Sequence, residues 1–233
     1  MLSVGGLHVH RLHIIVEGQT EEDFVNNILS PHLLNQKVNP VHSDAFLFRG
    51  GGGSLRFEKC RKVILDALKQ DKAVYITTMV DFYKMPPDWP GRNQASHCKK
   101  YQDKAATVEN ALSQDILNQP GPSFNKSRFI PYVQMHEFEA LLFSDTSKLA
   151  KRGKKPAKIS AQLERVLQSF SCPEEINDND QSHPSLRIKQ HIKDYDKRVD
   201  GILVAREIGL PKMRHECPHF NEWITKLEDI GNQ

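Results

Sequence analysis

The stretch His13 to Phe24 reads "HIIVEGQTEEDF" and decides the fold class. Residues His10 to Val16 alternate and then fill with β-branched side chains, the pattern of a strand buried on both faces. Gly18-Gln19-Thr20 turns the chain, and Thr20 with Asp23 three positions on has the form of a capping box. Phe24, Val25, Ile28, Leu29 and Leu33 then recur at helical spacing as far as Leu34. Strand, turn and helix in this order form the first half of a βαβ unit.

Working outward, a short strand is expected at Ala45 to Phe48, ended by the glycines Gly50 to Gly53. "SLRFEKCRKVILDALKQ" predicts an amphipathic helix from Ser54 to Gln70. "AVYITTMV", Ala73 to Val80, is the clearest central strand and terminates on Asp81. "PPDWPG", Pro86 to Gly91, must be a loop, because its prolines suit neither regular structure. A helix follows from Tyr101 to Leu117, a strand from Phe129 to Met135, and then a helical turn in "HEFEALLF".

These elements predict an α/β architecture: a mostly parallel, Rossmann-like sheet flanked by helices over residues 8–147. Residues 148–233 are expected to be a helical extension packed on it, with "KLAKRGKKPAK", Lys148 to Lys158, as a basic linker or lid.

Composition narrows the class. With 38% hydrophobic and 26% charged residues, the 233-residue chain has the balance of a soluble globular protein with material for a core. Its apolar runs are too short to cross a bilayer, and "MLSVGGLHVHRLH" lacks the apolar centre of a signal peptide. Cys60, Cys98, Cys172 and Cys217 are scattered, with no C-x-x-C, which fits reduced thiols in a cytoplasm. A net charge of +3 permits nucleic-acid contact without indicating it.

Acids recur where predicted strands stop. Glu17, Asp81 and the pair Glu137 and Glu139 each fall at or just past a strand's carboxyl end, the edge where open parallel sheets bind ligands. Glu21 would stand in the first helical turn above the same edge. Two carboxylates about 4 Å apart repel by around 1 kcal/mol in water and roughly 4 kcal/mol at an effective dielectric near 20. Protonation relieves that; so does Mg²⁺ or Mn²⁺, which an all-oxygen donor set favours over zinc. Such ions can activate water and stabilise a phosphodiester's leaving oxygen. The competing reading of Glu21, Glu22 and Asp23 is the helix dipole alone.

Five motifs, "IIVEGQTEEDFV", "TTMVDFYKMPPDWPG", "PYVQMHEFEALLFSD", "PEEINDNDQSHPSLRI" and "IGLPKMRHECPHFNEW", occur in order and together resemble the bacterial DUF4276 proteins. That family in turn resembles the TOPRIM fold of topoisomerases, primases and OLD-type nucleases. The resemblance implies a metal-dependent nuclease acting on DNA or RNA, with an ATPase protein partner and a role in antiviral defence. Glu17 and Glu21 match the TOPRIM glutamate and the acid four residues on. The Asp-x-Asp pattern is only half present, because Asp81-Phe82-Tyr83 ends in tyrosine. Glu137 or Glu139 could supply the missing ligand. Catalytic candidates are therefore Glu17, Glu21, Asp81, Glu139 and Lys197, with Glu17, Glu21, Asp81, Glu137 and Glu139 as the metal ligands.

Arg187, Lys193 and Lys197 are expected within reach of one another on one helix-like segment, "PSLRIKQHIKDYDKR". The resemblance puts Arg187 and Lys197 in recurrent motifs and so implies nucleic-acid contact for this group, with salt bridges on a helix surface as the competing reading. Lys151, Arg152, Lys154 and Lys155 would add a flexible backbone-tracking segment, or simply a solvated linker. The alternative to catalysis is a degenerate TOPRIM-like module that binds or regulates an ATPase. His215, Cys217 and His219 are poorly spaced for zinc, because Pro218 interrupts the helix that would align the histidines. "GGGGS" lacks the Lys-Ser/Thr of a P-loop.

Overall fold

Hydrogen bonding by the buried strand Val74–Asp81 (β3) organises the computed structural model, which describes residues 10–41, 56–118, 125–176 and 179–232. On one side β3 pairs in parallel with His10–Val16 (β1), from Arg11 opposite Val74 to Val16 opposite Met79. Beyond β1 lies Val38–Val41 (β2), also parallel, so the order runs β2-β1-β3-β4 with β4 at Phe129–Ile130. A fifth strand, Val133–Gln134 (β5), continues along β3 with Val80 opposite Val133.

Two of these strands differ from expectation. The second described strand is β2, whereas the one expected at 45–48 lies outside the described residues. Pro40 sits within β2, and a residue without an N–H is tolerated on the outermost described strand. The strand expected over 129–135 is broken at Pro131-Tyr132 into β4 and β5. Threonine side chains bridge the break: Thr77 Oγ1 donates to Ile130 O at 2.5 Å, and Thr78 Oγ1 both donates to Tyr132 O and accepts from Tyr132 N–H at 2.9 Å. Trp223 Nε1 in turn donates to Thr77 Oγ1 at 2.8 Å, with its ring stacked on Tyr132 at 4.2 Å.

The alternation of side chains along the strands assigns the two faces. Leu12, Ile14 and Val16 of β1 join Tyr75 and Met79 of β3 in one apolar cluster. Ile15, Val74, Ile76 and Val80 join the other. The second face is covered by Phe57–Gln70 (α3), through Phe57, Cys60, Ile64 and Leu68. Tyr101–Leu117 (α5) covers it too, and its bounds are those expected from the sequence.

The first face is covered by Gln19–Phe24 (α1), a π-helical turn at Val25–Leu29 and Ser30–Asn35 (α2). Phe24, Val25, Leu29 and Leu33 are buried, while Leu34 points outward. The capping box does not form. Gly18 is the N-cap of α1 with no side-chain bond, and Thr20 is buried as the second residue of the helix.

C-terminal helices complete that first cluster, so one apolar core includes Leu12 and Ile230 alike. They are Thr146–Ala150 (α6), Pro156–Leu167 (α7), Pro184–His191 (α8), Lys197–Ile208 (α9), Leu210–Glu216 (α10) and Pro218–Glu228 (α11). A boundary at 147/148 therefore falls inside α6. The basic run Lys148 to Lys158 is not a linker: it ends α6, turns at Gly153 and begins α7. Gly153 allows a close approach there, because a Cβ would stand 2.3 Å from Ile159 Cδ1.

The "PPDWPG" loop leads into the short Arg92–Ala95 helix (α4), with Gly91 at φ +77°. A Cβ on Gly91 would stand 2.6 Å from Thr107 O. Gly91→Ala should therefore destabilise the chain by about 2 kcal/mol, a fall of roughly 4–8 °C in Tm by calorimetry. An unchanged Tm would show that the loop tolerates a different backbone.

No helix among the described residues is long and apolar enough to cross a membrane.

Candidate active site

The carboxyl ends of β1 and β3 lie side by side, because Val16 pairs with Met79. Glu17 follows Val16 directly and Asp81 stands two residues past Met79, and Glu17 Oε2 accepts the Asp81 N–H at 3.1 Å. From β5 the chain passes through a cis Met135–His136 peptide into the 3₁₀ helix Phe138–Asp145. Asp81 Oδ1 accepts the Phe138 N–H at 3.0 Å, which ties that helix's first turn to the end of β3. Glu139 is consequently carried under the sheet edge, where its exposure is 0%. Glu21, on the first turn of α1, is also buried.

At the focus of these acids stands an ammonium group. Lys197 Nζ lies 3.2 Å from Glu139, 3.5 Å from Glu21 and 3.6 Å from Asp81. Asp196 places it there: its side chain accepts the N–H groups of Arg198 and Val199 at 2.8 and 3.2 Å, so α9 starts with Lys197 directed at the sheet edge. Charge follows geometry. Burial, opposed by Lys197 and reinforced by Glu21 and Glu17, raises the Asp81 carboxyl well above the usual carboxylate range. Burial likewise pushes Glu139 up to about 7 against the pull of Lys197. Desolvation, with Glu21 alongside, raises Glu17 to about 7, although part of its side chain faces solvent. Burial would lower Lys197, but Asp81, Glu139 and Glu21 outweigh it and hold the ammonium charged well beyond its normal range.

Glu137 is engaged elsewhere. Its Oε2 accepts the Ser185 N–H at 2.8 Å and meets His183 Nδ1 at 3.2 Å, while Oε1 accepts from Ser185 Oγ at 3.1 Å. Serine and glutamate both address the same imidazole nitrogen, since Ser185 Oγ lies 3.0 Å from Nδ1, so the trio is not a nucleophilic relay. As the extended residue before the 3₁₀ helix, Glu137 faces α8, whereas Glu139 faces Lys197. Nothing in the local sequence separates the two; the partners on α8 do.

The other expected residues do not gather at this centre. Arg187, Lys193 and Lys197 do not share a helix, because α8 ends at His191 and Asp196 starts α9 anew. Arg187 Nε donates to Ser182 O at 2.6 Å, and its guanidinium lies over Phe170. Lys151 pairs with Glu207 at 3.2 Å, and Arg152 with Asp200 at 2.7 Å. Tyr83, where an Asp-x-Asp pattern has its second acid, stacks on His183 at 4.4 Å and donates to Asp180 at 2.8 Å.

The zinc trio diverges. His215 is exposed beside Glu216, Cys217 is buried against Ser144, and His219 Nε2 meets Glu109 at 2.9 Å. Buried Glu174 accepts the His219 and Phe220 N–H groups at 2.9 Å each and so caps α11. No sequence pattern announced that role; only the separate chain segments meeting in space reveal it. Among the described residues, no three His, Cys, Asp or Glu side chains are placed to enclose a metal as they stand, and three carboxylates share the lysine instead.

Comparison with known families agrees with this span of motifs. The family model DUF4276, described as a domain of unknown function, matches residues 16–228. The chain belongs to the DUF4276 family. Both Glu17 and Lys197 fall inside the matched span of this DUF4276 chain. No curated protein and no solved structure matches it.

Proposed function

We propose that this DUF4276 protein hydrolyses phosphodiesters of DNA, with RNA as the alternative substrate, at the carboxylate–lysine centre and with Mg²⁺ or Mn²⁺ as cofactor. One observation carries the reading: Glu139 is sealed from solvent, yet its carboxylate oxygens meet no side-chain donor among the described residues except the Lys197 ammonium, 3.2 Å from Oε2. Glu21 Oε1 beside it is in the same state. Buried carboxylate oxygens without donors are costly unless a cation meets them, and Lys197 supplies one charge for three acids.

The donors are hard oxygens only, which suits Mg²⁺ or Mn²⁺. Glu17, Glu21, Asp81 and Glu139 would hold the ion; Glu137, with its oxygens already accepting from Ser185, would orient the edge from outside. When bound, such an ion would activate water and stabilise the leaving oxygen. Lys197, freed in part from the acids, would donate to the anionic phosphate oxygens. The sheet edge and the TOPRIM resemblance support this assignment, and the same resemblance adds an ATPase partner in antiviral defence.

The test is a plasmid incubated with Mg²⁺ or Mn²⁺. Wild type should nick or linearise it, and Glu17→Ala should do so at least about 100-fold more slowly. Equal rates would end the proposal.

A second reading draws on Lys197 itself, which already stands among the acids as a counter-charge, and on Tyr83 in place of a second aspartate. On that reading the chain is a TOPRIM-like module that binds or regulates an ATPase. Calorimetric titration with Mn²⁺ separates the two. A catalytic centre binds Mn²⁺ and loses it in Asp81→Asn, whereas a module gives no heat in either protein.

A further inference from the structure

Apart from the carboxylate centre, the structure holds a cavity of about 440 Å³ between the α6–α7 turn and the segment that follows α8. Arg152, Lys154, Lys155 and Lys158 line it from one side, Lys193 and Asp194 from the other. Ile159 and Ile192 are buried and form its floor. Arg152 is offset by Asp200. The four lysines meet no carboxylate among the described residues, so Asp194 faces a clear excess of positive charge.

The cationic rim stands on ordered structure. Gly153 brings the turn against Ile159, and α7, twelve residues long, opens at Pro156 with no side chain capping its first amides. Such amides add to the attraction for an anion. Among the described residues no Phe, Tyr or Trp lines the cavity, and its single ring is the imidazole of His191 at the end of α8. Five basic side chains against one small ring favour phosphate groups over bases.

The basin is linked to α9, the helix that carries Lys197, by sequence and by one ion pair. Asp194 stands three residues before Lys197, and Arg152 binds Asp200, one helical turn beyond Lys197 on α9. We propose that this basin binds the sugar–phosphate backbone of a nucleic acid on its way to the carboxylate–lysine centre, reading phosphates and not bases. The identity of the ligand rests on the nuclease reading; the basin's affinity for it does not.

The experiment is fluorescence anisotropy of a labelled DNA duplex in EDTA, which suppresses metal-dependent cleavage, across a salt series. The variant is Lys154→Gln/Lys158→Gln/Lys193→Gln, whose lysines are all exposed, so folding is preserved. Lys69→Gln/Lys72→Gln/Lys226→Gln, equally exposed, matches its change in net charge. Loss of three phosphate contacts should make the slope of log Kd against log salt shallower by about 2.7, roughly 0.9 per lysine, and weaken binding at least about tenfold at low salt. The control triple should keep the wild-type slope.

Equal slopes in the two triples would overturn the proposal. So would tight binding of tripolyphosphate by wild type with no binding of single- or double-stranded DNA, which would give the basin to a small free ligand. The two readings fail separately. A wild type that never cleaves with any metal removes the nuclease and leaves the anisotropy result standing, whereas equal slopes remove the basin and leave cleavage standing.

Discussion

Asp81→Asn is expected to slow metal-dependent cleavage by about 10²–10³-fold while leaving the fold in place. The asparagine carbonyl can still accept the Phe138 N–H, so the 3₁₀ helix that carries Glu139 stays anchored to β3. What disappears is one negative charge at the focus shared by Glu21, Glu139 and Lys197. Glu139→Gln should lose a similar factor, because it removes the sealed carboxylate with unused lone pairs. Glu137→Gln should lose far less activity, since its work is to hold Ser185 and His183. Single-turnover cleavage in Mn²⁺, with Tm measured beside it, checks all three. Rates within about threefold of wild type for both Asp81→Asn and Glu139→Gln would remove the carboxylates from the chemistry.

The largest stability effect is expected at Lys197. Lys197→Met leaves the buried Glu21, Asp81 and Glu139 facing one another with no counter-charge; because the lysine itself is 36% exposed, the cost is at the low end for breaking such pairs, about 3 kcal/mol. At neutral pH that is a fall of roughly 6–12 °C in Tm. The pH dependence identifies the cause. In wild type, Glu139 binds its proton near pH 7 when folded and at the ordinary 4.5 when unfolded. The folded state therefore holds more protons between those values. Its contribution to stability is complete below about 4.5 and is lost as pH rises through about 7. Glu17, raised by desolvation and Glu21 but in contact with solvent, adds to that slope more weakly than the sealed Glu139. Lys197, raised from 10.5, acts only at the alkaline end, where its contribution is lost above that value. Removing the lysine should steepen the slope between pH 5 and 8, so the variant approaches wild-type stability at about pH 5 as its carboxyls take up protons. Mn²⁺ at pH 8 should restore part of the lost stability by mass action. A deficit that is constant with pH would mean that the lysine acts by packing alone.

Some features of the chain were legible because they depend on near neighbours in sequence. The strands at His10–Val16 and Val74–Asp81 and the helix at Tyr101–Leu117 follow from apolar periodicity and β-branched composition. Glu17 and Asp81 could be placed at one rim because parallel strands joined by helices must end together. Other features fell outside local pattern. The strand with Pro40 hides behind a residue that argues against strands, and the bond that replaces the missing ladder contact at Pro131 comes from Thr78. The Lys148–Lys158 run has the composition of a loop, yet Ile159 and Leu163 just beyond it anchor α7 to the core, so its last residues are helical with Lys158 exposed.

By itself the sequence determined the βα order, the parallel sheet and the rim that gathers Glu17 and Asp81, since these rest on hydrophobic period and strand direction. Only the tertiary structure decided that Glu139 turns inward while Glu137 turns to His183 and Ser185. It also decided that the counter-charge comes from Lys197, and that the lysines of two distant segments face one cavity. The physical reason is range. Backbone preference and hydrophobic pattern act over a few residues, whereas burial and Coulomb energy depend on distances in space that chain separation does not reveal.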